Sequence, residues 1–160
     1  MHHPPHRSLK PGGWIEIQDM RWQYNCEDGT MDSEYGPLKM MELVERALEA
    51  MNIEFAPAQK HIARLTDAGF ANIGQLERKV PVGRWPKAQV LKTMGHFCRE
   101  IVIRGLDAVM LGPLTRGLGW SKDEVEQFAW SVRRDLMNSS IHSYVYFQAC
   151  WAQKPLDVAA

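Results

Sequence analysis

The stretch that decides the fold is Leu9-Lys-Pro-Gly-Gly-Trp-Ile-Glu-Ile-Gln-Asp-Met20, in which a Pro-Gly-Gly turn leads into a short apolar run. The proline fixes one backbone dihedral angle, and the two glycines allow the positive φ of a sharp turn. Trp14, Ile15 and Ile17 place bulky side chains on both faces of the strand that follows, which is typical of a strand buried in a layered α/β sheet. Asp19 stands where this strand is expected to end, and ligands bind at the carboxyl ends of such strands.

Composition and charge exclude several classes of protein. A chain of 160 residues can bury one domain core, and 19 Lys plus Arg balance 19 Asp plus Glu. Because the net charge is zero, no strong field draws the chain to nucleic acid or to a membrane surface. No apolar run approaches the roughly 20 residues of a membrane span. We therefore expect no nucleic-acid or membrane partner and a cytoplasmic or nuclear location.

The three cysteines are Cys26, Cys98 and Cys150. An odd number at wide spacing, with no Cys-x-x-Cys pair, argues against a disulfide framework and against a zinc site. We expect reduced thiols and no metal site.

Hydrophobic periodicity predicts four main helices. The first covers 38–51, and the second runs from about Pro57 to Ala68. The longest opens with Pro86 at its first position and is broken at Gly112-Pro113. The last begins at Ser121, which forms a capping box with Glu124.

Two further strands are predicted, at 72–82 and 142–153. Pro81 cannot donate to a ladder, so the first of them should lie at an edge of the sheet or end there. The second carries large apolar groups on both faces, which favours a central position. Residues 21–37 are interpreted as a long loop that could shape a substrate lid, with a solvated crossover as the equally weighted alternative. Residues 1–8 are expected to be a disordered start, 9–155 one domain and 156–160 a tail.

Several segments together resemble the class I S-adenosylmethionine-dependent methyltransferases, and in particular the fungal group that includes the velvet-complex regulators of secondary metabolism. The segments are LKPGGWIEIQD from Leu9, Cys26-Glu-Asp-Gly-Thr30, Asp67-Ala-Gly-Phe70, Lys79-Val-Pro-Val-Gly83 with Trp85-Pro-Lys87, and Gly117-Leu-Gly-Trp-Ser121. The resemblance covers Leu9 to Pro155. It implies an α/β fold, namely the C-terminal half of a Rossmann-like sheet with about three strands, the last of them antiparallel between the other two.

The resemblance also implies S-adenosylmethionine as the cofactor of the full-length family. Family members bind it with a Gly-rich turn after their first strand and an acidic residue ending the second, both expected upstream of Leu9. The lone Gly117-Leu-Gly119 has no third glycine and no preceding strand, so it is not a dinucleotide fingerprint. We therefore expect no cofactor-binding residues here, no cofactor binding by this chain alone, and an inactive partial methyltransferase.

The substrate side of the family's cleft is implied to involve the strand end, the loop after it and two later segments. Methyl transfer needs no fixed triad, so no catalytic residue is singled out and the methyl acceptor, a small molecule or a protein, stays open. A turn-forming carboxylate is the alternative for Asp19, and a buried, hydrogen-bonded histidine is the alternative for His96. The substrate-side candidates are Gln18, Asp19, Trp22, Tyr24, His96 and Trp120.

A second hypothesis is a non-catalytic interaction module that binds a protein partner through its exposed sheet edge. In the family the strand at 14–19 has a neighbour that is missing here. An uncovered apolar edge promotes association, so we expect self-association through residues 14–19.

Overall fold

The computed structural model describes residues 9–55 and 58–156, so the start at 1–8, Pro57 and residues 157–160 lie outside the described residues. The chain forms one three-stranded sheet in the order β1-β3-β2. Backbone bonds from Gly12 N–H to Lys154 O (2.9 Å) and from Val82 N–H to Ser143 O (2.9 Å) join the ends of β3 antiparallel to both neighbours. The strands are β1 Trp14–Asn25, β2 Ala71–Pro81 and β3 Tyr144–Gln153. The central antiparallel strand and the edge position of β2 are confirmed.

Two α-helices follow β1 and two follow β2, so the four main helices of the prediction are present. A 3-10 turn at Ala58–Lys60 precedes the second helix. The helices are α1 Gly36–Ala50, α2 His61–Asp67, α3 Gln89–Leu118 and α4 Lys122–Met137. The capping box is confirmed: Glu124 N–H donates to Ser121 Oγ (3.2 Å), and Ser121 N–H donates to the Glu124 carboxylate (2.7 Å).

The described residues divide into two compact units. The first consists of 9–21, 58–78 and 146–156. Its core is a small apolar cluster under α2, with half-buried isoleucines of β1 packed against it. The buried members are Leu65, Phe70, Cys150 and Ala152.

Strand β1 differs from its prediction in burial and in length. Trp14 is 55% exposed, and Glu16 and Gln18 are exposed as well, so one face of β1 is open to solvent rather than buried. The strand also continues to Asn25, which reduces the predicted loop at 21–37 to 26–35. Asp19 consequently lies inside the strand, and the prediction that it ends the strand is wrong.

The second unit consists of 22–55 and 79–145, in which α1, α3 and α4 pack pairwise on one another. Its core is aliphatic and tightly buried, and burial of such side chains is the main stabilising term in folding. The residues at its centre are Val44, Ala47, Leu106, Met110, Leu114, Ala129 and Val132.

Helix α3 begins later and ends later than predicted. It starts at Gln89, with Ala88 as the N-cap, so Pro86 precedes the helix. It continues through Pro113 to Leu118, because Met110 and Leu114 on either side of the proline are completely buried. Core packing thus outweighs the lost backbone hydrogen bond at Pro113.

Two glycines of α3 allow close approach of backbones within the second unit. A Cβ at Gly95 would lie 2.0 Å from the backbone oxygen of Gly83, and one at Gly117 would lie 2.2 Å from that of Ala47. A Cβ at Gly105, by contrast, would meet nothing within 4 Å. No helix in the described part of the chain is long and apolar enough to cross a membrane.

Candidate functional site

An apolar cavity of about 280 Å³ lies in the second unit. Alternation along β1 places Trp22 and Tyr24 on the same face of the strand. The contributing positions of α3 fall at i, i+1, i+4, i+5 and i+8, which is the stripe that one face of a helix presents. The cavity is lined by Trp22, Tyr24, Met40, Met41, Val44, Phe55, Ile101, Val102, Gly105, Leu106 and Val109.

The cavity wall carries no charged side chain, and glycine occupies one position of its α3 stripe. Because a Cβ at Gly105 would meet no atom within 4 Å, the missing side chain contributes to the open space. Glycine in a helix interior costs about 1 kcal/mol relative to alanine. The helix therefore accepts a local loss of stability at the position where a side chain would fill the cavity.

Tyr24 is the polar residue most deeply buried in this wall. Its side chain is 4% exposed, and its hydroxyl has no hydrogen-bond partner among the described residues. The ring meets that of Tyr35 edge to face, with 5.9 Å between the centroids. Burial, with smaller contributions from Tyr35 and Cys98, raises the pKa of Tyr24 well above its usual value, so the hydroxyl is neutral and can donate a hydrogen bond.

Tyr35 differs from Tyr24 because its hydroxyl is paired. It lies 3.1 Å from Oγ of Ser143, a fully buried residue whose backbone oxygen accepts from Trp85 Nε1 at 3.0 Å. Burial raises the pKa of Tyr35 to about 12. These bonds hold the segment before α1 to the start of β3.

A second polar cluster orders the loop after β1. Asp28 Oδ1 accepts from the backbone N–H of Thr30 (3.1 Å), the Thr30 hydroxyl (2.7 Å) and Cys26 Sγ (3.1 Å). Its Oδ2 lies 2.5 Å from His142 Nδ1, and the His142 ring stacks on Trp85 at 4.9 Å. The donors from Thr30, Cys26 and His142 lower the pKa of Asp28 well below its usual value. The sequence analysis used Cys26 to Thr30 as one segment of the family resemblance and gave Asp28 no role. The distant partner His142 has no local signal.

The substrate-side candidates Gln18 and Asp19 lie in the first unit. Asp19 Oδ1 accepts from the N–H of Met20 (2.7 Å), and Oδ2 lies 2.9 Å from His61 Nε2. Gln18 is exposed and donates to Glu16 at 2.6 Å. The carboxylate of Asp19 is thus held by His61 in mid-strand, and it is not the turn-forming carboxylate considered as the alternative.

The structure brings together two of the six candidates, Trp22 and Tyr24, in the cavity wall. His96 and Trp120 are not among the lining residues. His96 is partly exposed, 3.4 Å from Arg99 Nη2, so it is not the buried histidine considered as the alternative. Trp120 packs edge to face on Phe128 at 5.7 Å. Met40, Met41 and Val44 belong to the helix predicted at 38–51, and neither they nor Phe55 and Gly105 were among the predicted site residues.

The resembled family binds its cofactor at a glycine turn, and the glycines of the described residues can be compared with that requirement. Gly29 and Gly83 lie in the connections from strand to helix, and Gly36 is the first residue of α1. A cofactor turn needs free backbone N–H groups at such positions. The Gly36 N–H donates to Asp135 (2.9 Å), and the Gly83 N–H donates to the Gly95 oxygen (2.9 Å). Gly29 stands alone in an exposed turn. The described part of the chain also holds no cluster of three or more metal-ligating side chains.

No family model matches the chain. Curated fungal proteins do match it over 92% of its length: methyltransferase pytC of Aspergillus terreus is 34% identical over 147 residues, and probable methyltransferase tdiE of Emericella nidulans is 31% identical over 149. The secondary metabolism regulator laeA of Monascus pilosus is 25% identical over 149 residues.

The chain spans 45% of pytC, 47% of tdiE and 41% of the regulator, which is less than half the length of these curated relatives. That coverage agrees with the prediction of a partial methyltransferase domain. The chain is therefore a relative of fungal methyltransferases, including regulators of secondary metabolism, and corresponds to less than half of each.

Proposed function

We propose that these 160 residues form the part of an S-adenosylmethionine-dependent methyltransferase that holds the methyl acceptor, and that they do not transfer a methyl group by themselves. The observation that carries this proposal is the apolar cavity lined by Trp22 and Tyr24. Both residues belong to the segment that the family resemblance assigns to the substrate side. The methyltransferase relatives support the reaction class.

The proposed absence of methyl transfer follows from the backbone groups that are needed to bind S-adenosylmethionine. S-adenosylmethionine requires backbone amides at a glycine turn, and the amides of Gly36 and Gly83 are already used inside the fold. Association also costs several kcal/mol of translational and rotational freedom. A surface that contacts only one side of the cofactor does not offset this cost.

Isothermal titration calorimetry of the purified 160-residue chain with S-adenosylmethionine tests this proposal. We expect no measurable heat of binding and no methyl transfer to a panel of small-molecule and protein acceptors. Near-ultraviolet circular dichroism of the six tryptophans serves as the control that the chain is folded. A dissociation constant in the low micromolar range would contradict the proposal.

The second candidate function, a non-catalytic interaction module, is favoured by the position of β1. This strand has twelve residues and lies at an edge of the sheet with β3 as its single neighbour among the described strands. Edge strands pair with other chains unless charges, prolines or covering segments prevent it. Here the partner is a second polypeptide strand, in the simplest case another copy of this chain.

A further inference from the structure

We propose that two copies of this chain pair antiparallel through β1, with Glu16 of each copy opposite Gln18 of the other and Ile17 on the two-fold axis. The inference rests on the second candidate function, the interaction module, and it specifies the partner strand and its register. Three features of β1 support it: the direction of its backbone groups, the polar side chains on its open face, and the apolar side chains placed symmetrically about Ile17.

The first argument is the direction of the backbone groups. Gly12 N–H donates to Lys154 O (2.9 Å), and Lys154 N–H donates to Gly13 O (2.8 Å). Gly12 has a φ of 76°, so these bonds form a glycine bulge at the start of the ladder with β3. Bonding to one neighbour alternates along an antiparallel strand. Counted from Gly13, odd-numbered residues bond to β3, and even-numbered residues from Trp14 to Met20 direct their N–H and C=O groups to the open edge.

Met20 agrees with this alternation, because its N–H donates to the carboxylate of its neighbour Asp19 at 2.7 Å. This local bond marks one end of the open edge. The N–H groups of Trp14, Glu16 and Gln18 are thereby offered to an added strand. A row of alternate backbone donors and acceptors is a surface that an extended polypeptide satisfies.

The second argument is the open face, where Glu16 and Gln18 are exposed. Even-numbered residues must lie opposite even-numbered residues for backbone bonding, so symmetric registers differ by steps of two. With Ile17 on the axis, the Glu16 carboxylate lies opposite the Gln18 amide, a pair that already bonds at 2.6 Å within one chain. One step in one direction places the two Glu16 carboxylates opposite each other, which is destabilising. One step in the other direction places Ile17 opposite the carboxylate of Asp19.

The third argument is the apolar pairs of this register. Ile17 faces Ile17 on the axis in a non-hydrogen-bonded pair, where Cβ atoms lie about 4.5–5.5 Å apart. Trp14, which is 55% exposed, comes opposite Met20, and thioether–aromatic contacts are favourable. Ile15 comes opposite Asp19, whose carboxylate is already hydrogen-bonded within its own chain. The pairing therefore leaves no unpartnered charge at the seam.

The seam is short. Residues 14–20 span roughly 24 Å of strand. A stable interface of standard size buries roughly 800 Å² per partner, more than such a seam provides. We therefore expect a weak, two-fold symmetric dimer whose population depends on concentration.

Opposite charges at position 18 test the register in sedimentation equilibrium. Gln18→Lys places a cation opposite Glu16 twice in each dimer and should tighten dimerisation about threefold to tenfold. Gln18→Glu should weaken dimerisation by a similar factor, because it places like charges opposite each other. If the two Gln18 side chains instead faced each other, both substitutions would weaken the dimer.

A charge exchange and two controls complete the test. The double variant Glu16→Lys with Gln18→Glu restores opposite charges and should dimerise as tightly as Gln18→Lys. Gln23→Lys and Gln23→Glu are the matched controls, since Gln23 is exposed on the same strand but lies outside residues 14–20. They should leave the dimerisation constant unchanged. Molar salt should remove the differences among the charge variants.

Other results would overturn the proposal. Effects of the same sign for the two charges at position 18, or no recovery in the double variant, would contradict the register and leave an interaction module with another geometry. A monomer at every concentration would contradict both the register and the module. Neither result bears on the methyltransferase role, which is judged by the cofactor titration.

Discussion

Gly83 donates its backbone N–H to the backbone oxygen of Gly95 over 2.9 Å, and a Cβ at Gly95 would lie 2.0 Å from the Gly83 oxygen. The segment after β2 therefore lies directly on the first turns of α3. Gly105 belongs to the same helix, and the space around its Cα is open. The two glycines look alike in the sequence and have opposite roles in the structure.

This contrast predicts that replacing glycine by alanine has opposite effects on the free energy of unfolding at positions 95 and 105. Gly95→Ala should lower the free energy of unfolding by about 1–3 kcal/mol or more, because backbone rather than a flexible side chain blocks the methyl group. Gly105→Ala should raise it by up to about 1 kcal/mol through helix propensity. Urea denaturation of both variants measures the difference, and equal effects would show that the contact at Gly95 is misplaced.

The two neighbouring tyrosines give a second paired prediction. Tyr24→Phe removes a buried hydroxyl that has no partner, so the free energy of unfolding should stay constant or increase. Tyr35→Phe leaves buried Ser143 Oγ without the tyrosine hydroxyl and should cost about 1–3 kcal/mol. Thermal unfolding of the two variants in parallel provides the measurement. A larger loss of stability for Tyr24→Phe than for Tyr35→Phe would contradict the finding that the Tyr35 hydroxyl is paired and the Tyr24 hydroxyl is not.

The Asp28 cluster predicts how stability depends on pH. The pKa of Asp28 is lowered in the folded chain, so its stabilising contribution is complete above the unfolded value of about 4 and is lost as the pH falls below it. Asp28→Asn should unfold at a lower temperature than the original chain at pH 7, and the two melting temperatures should converge in acid. The pKa values of Glu27 and Glu124 are also lowered, but both residues are present in the original chain and in Asp28→Asn, so they affect the melting temperatures of the two proteins equally.

Thr30→Ala is the control for this experiment, because it removes one hydroxyl donor and keeps the charge of Asp28. The drop in melting temperature of Thr30→Ala between pH 7 and acid pH should lie between that of the original chain and that of Asp28→Asn. If the melting temperatures of the original chain and of Asp28→Asn differ by the same amount at pH 7 and in acid, Asp28 makes no pH-dependent contribution to stability.

The β1 edge predicts self-association. Ile15 and Ile17 pack against the core of the first unit, so a lysine at either position would damage folding as well as pairing. Trp14, 55% exposed at the start of the strand, is the better target. We expect dimers whose population rises with concentration in sedimentation velocity, and Trp14→Lys should shift them to monomers.

Trp130→Lys is the matched control, because Trp130 is 67% exposed on α4 and lies outside the sheet. It should leave the association unchanged. A monomer at high concentration, or equal effects of the two substitutions, would contradict pairing through β1.

Much of the fold could be predicted because it depends on local patterns. The capping box at Ser121 and the apolar faces of β3 specify their elements without distant partners. Strand β1 could not be bounded in this way: Gln18, Asp19 and Gln23 have the composition of a loop. In the structure the open face of β1 and the bond to His61 accommodate such residues, while pairing with β3 supplies the backbone bonds.

The site was harder to predict because a cavity is defined by what is absent. Trp22 and Tyr24 were selected, but as members of a loop that is in fact strand. The stripe from Ile101 to Val109 has the same apolar pattern whether it packs or lines a space. Only the packing around Gly105 distinguishes these cases, and that depends on side chains distant in sequence.

Helix α3 is held in the second unit by close backbone contacts near both of its ends. It is fixed at Gly95 against the segment after β2 and at Gly117 against α1, and these points are roughly 33 Å apart at 1.5 Å per residue. The cavity lies against the span of helix between these two contacts, so a ligand that displaced this span would bend a helix that is held near both ends. Pro113 lies within this span, where one backbone hydrogen bond is missing, and the helix would bend most easily there.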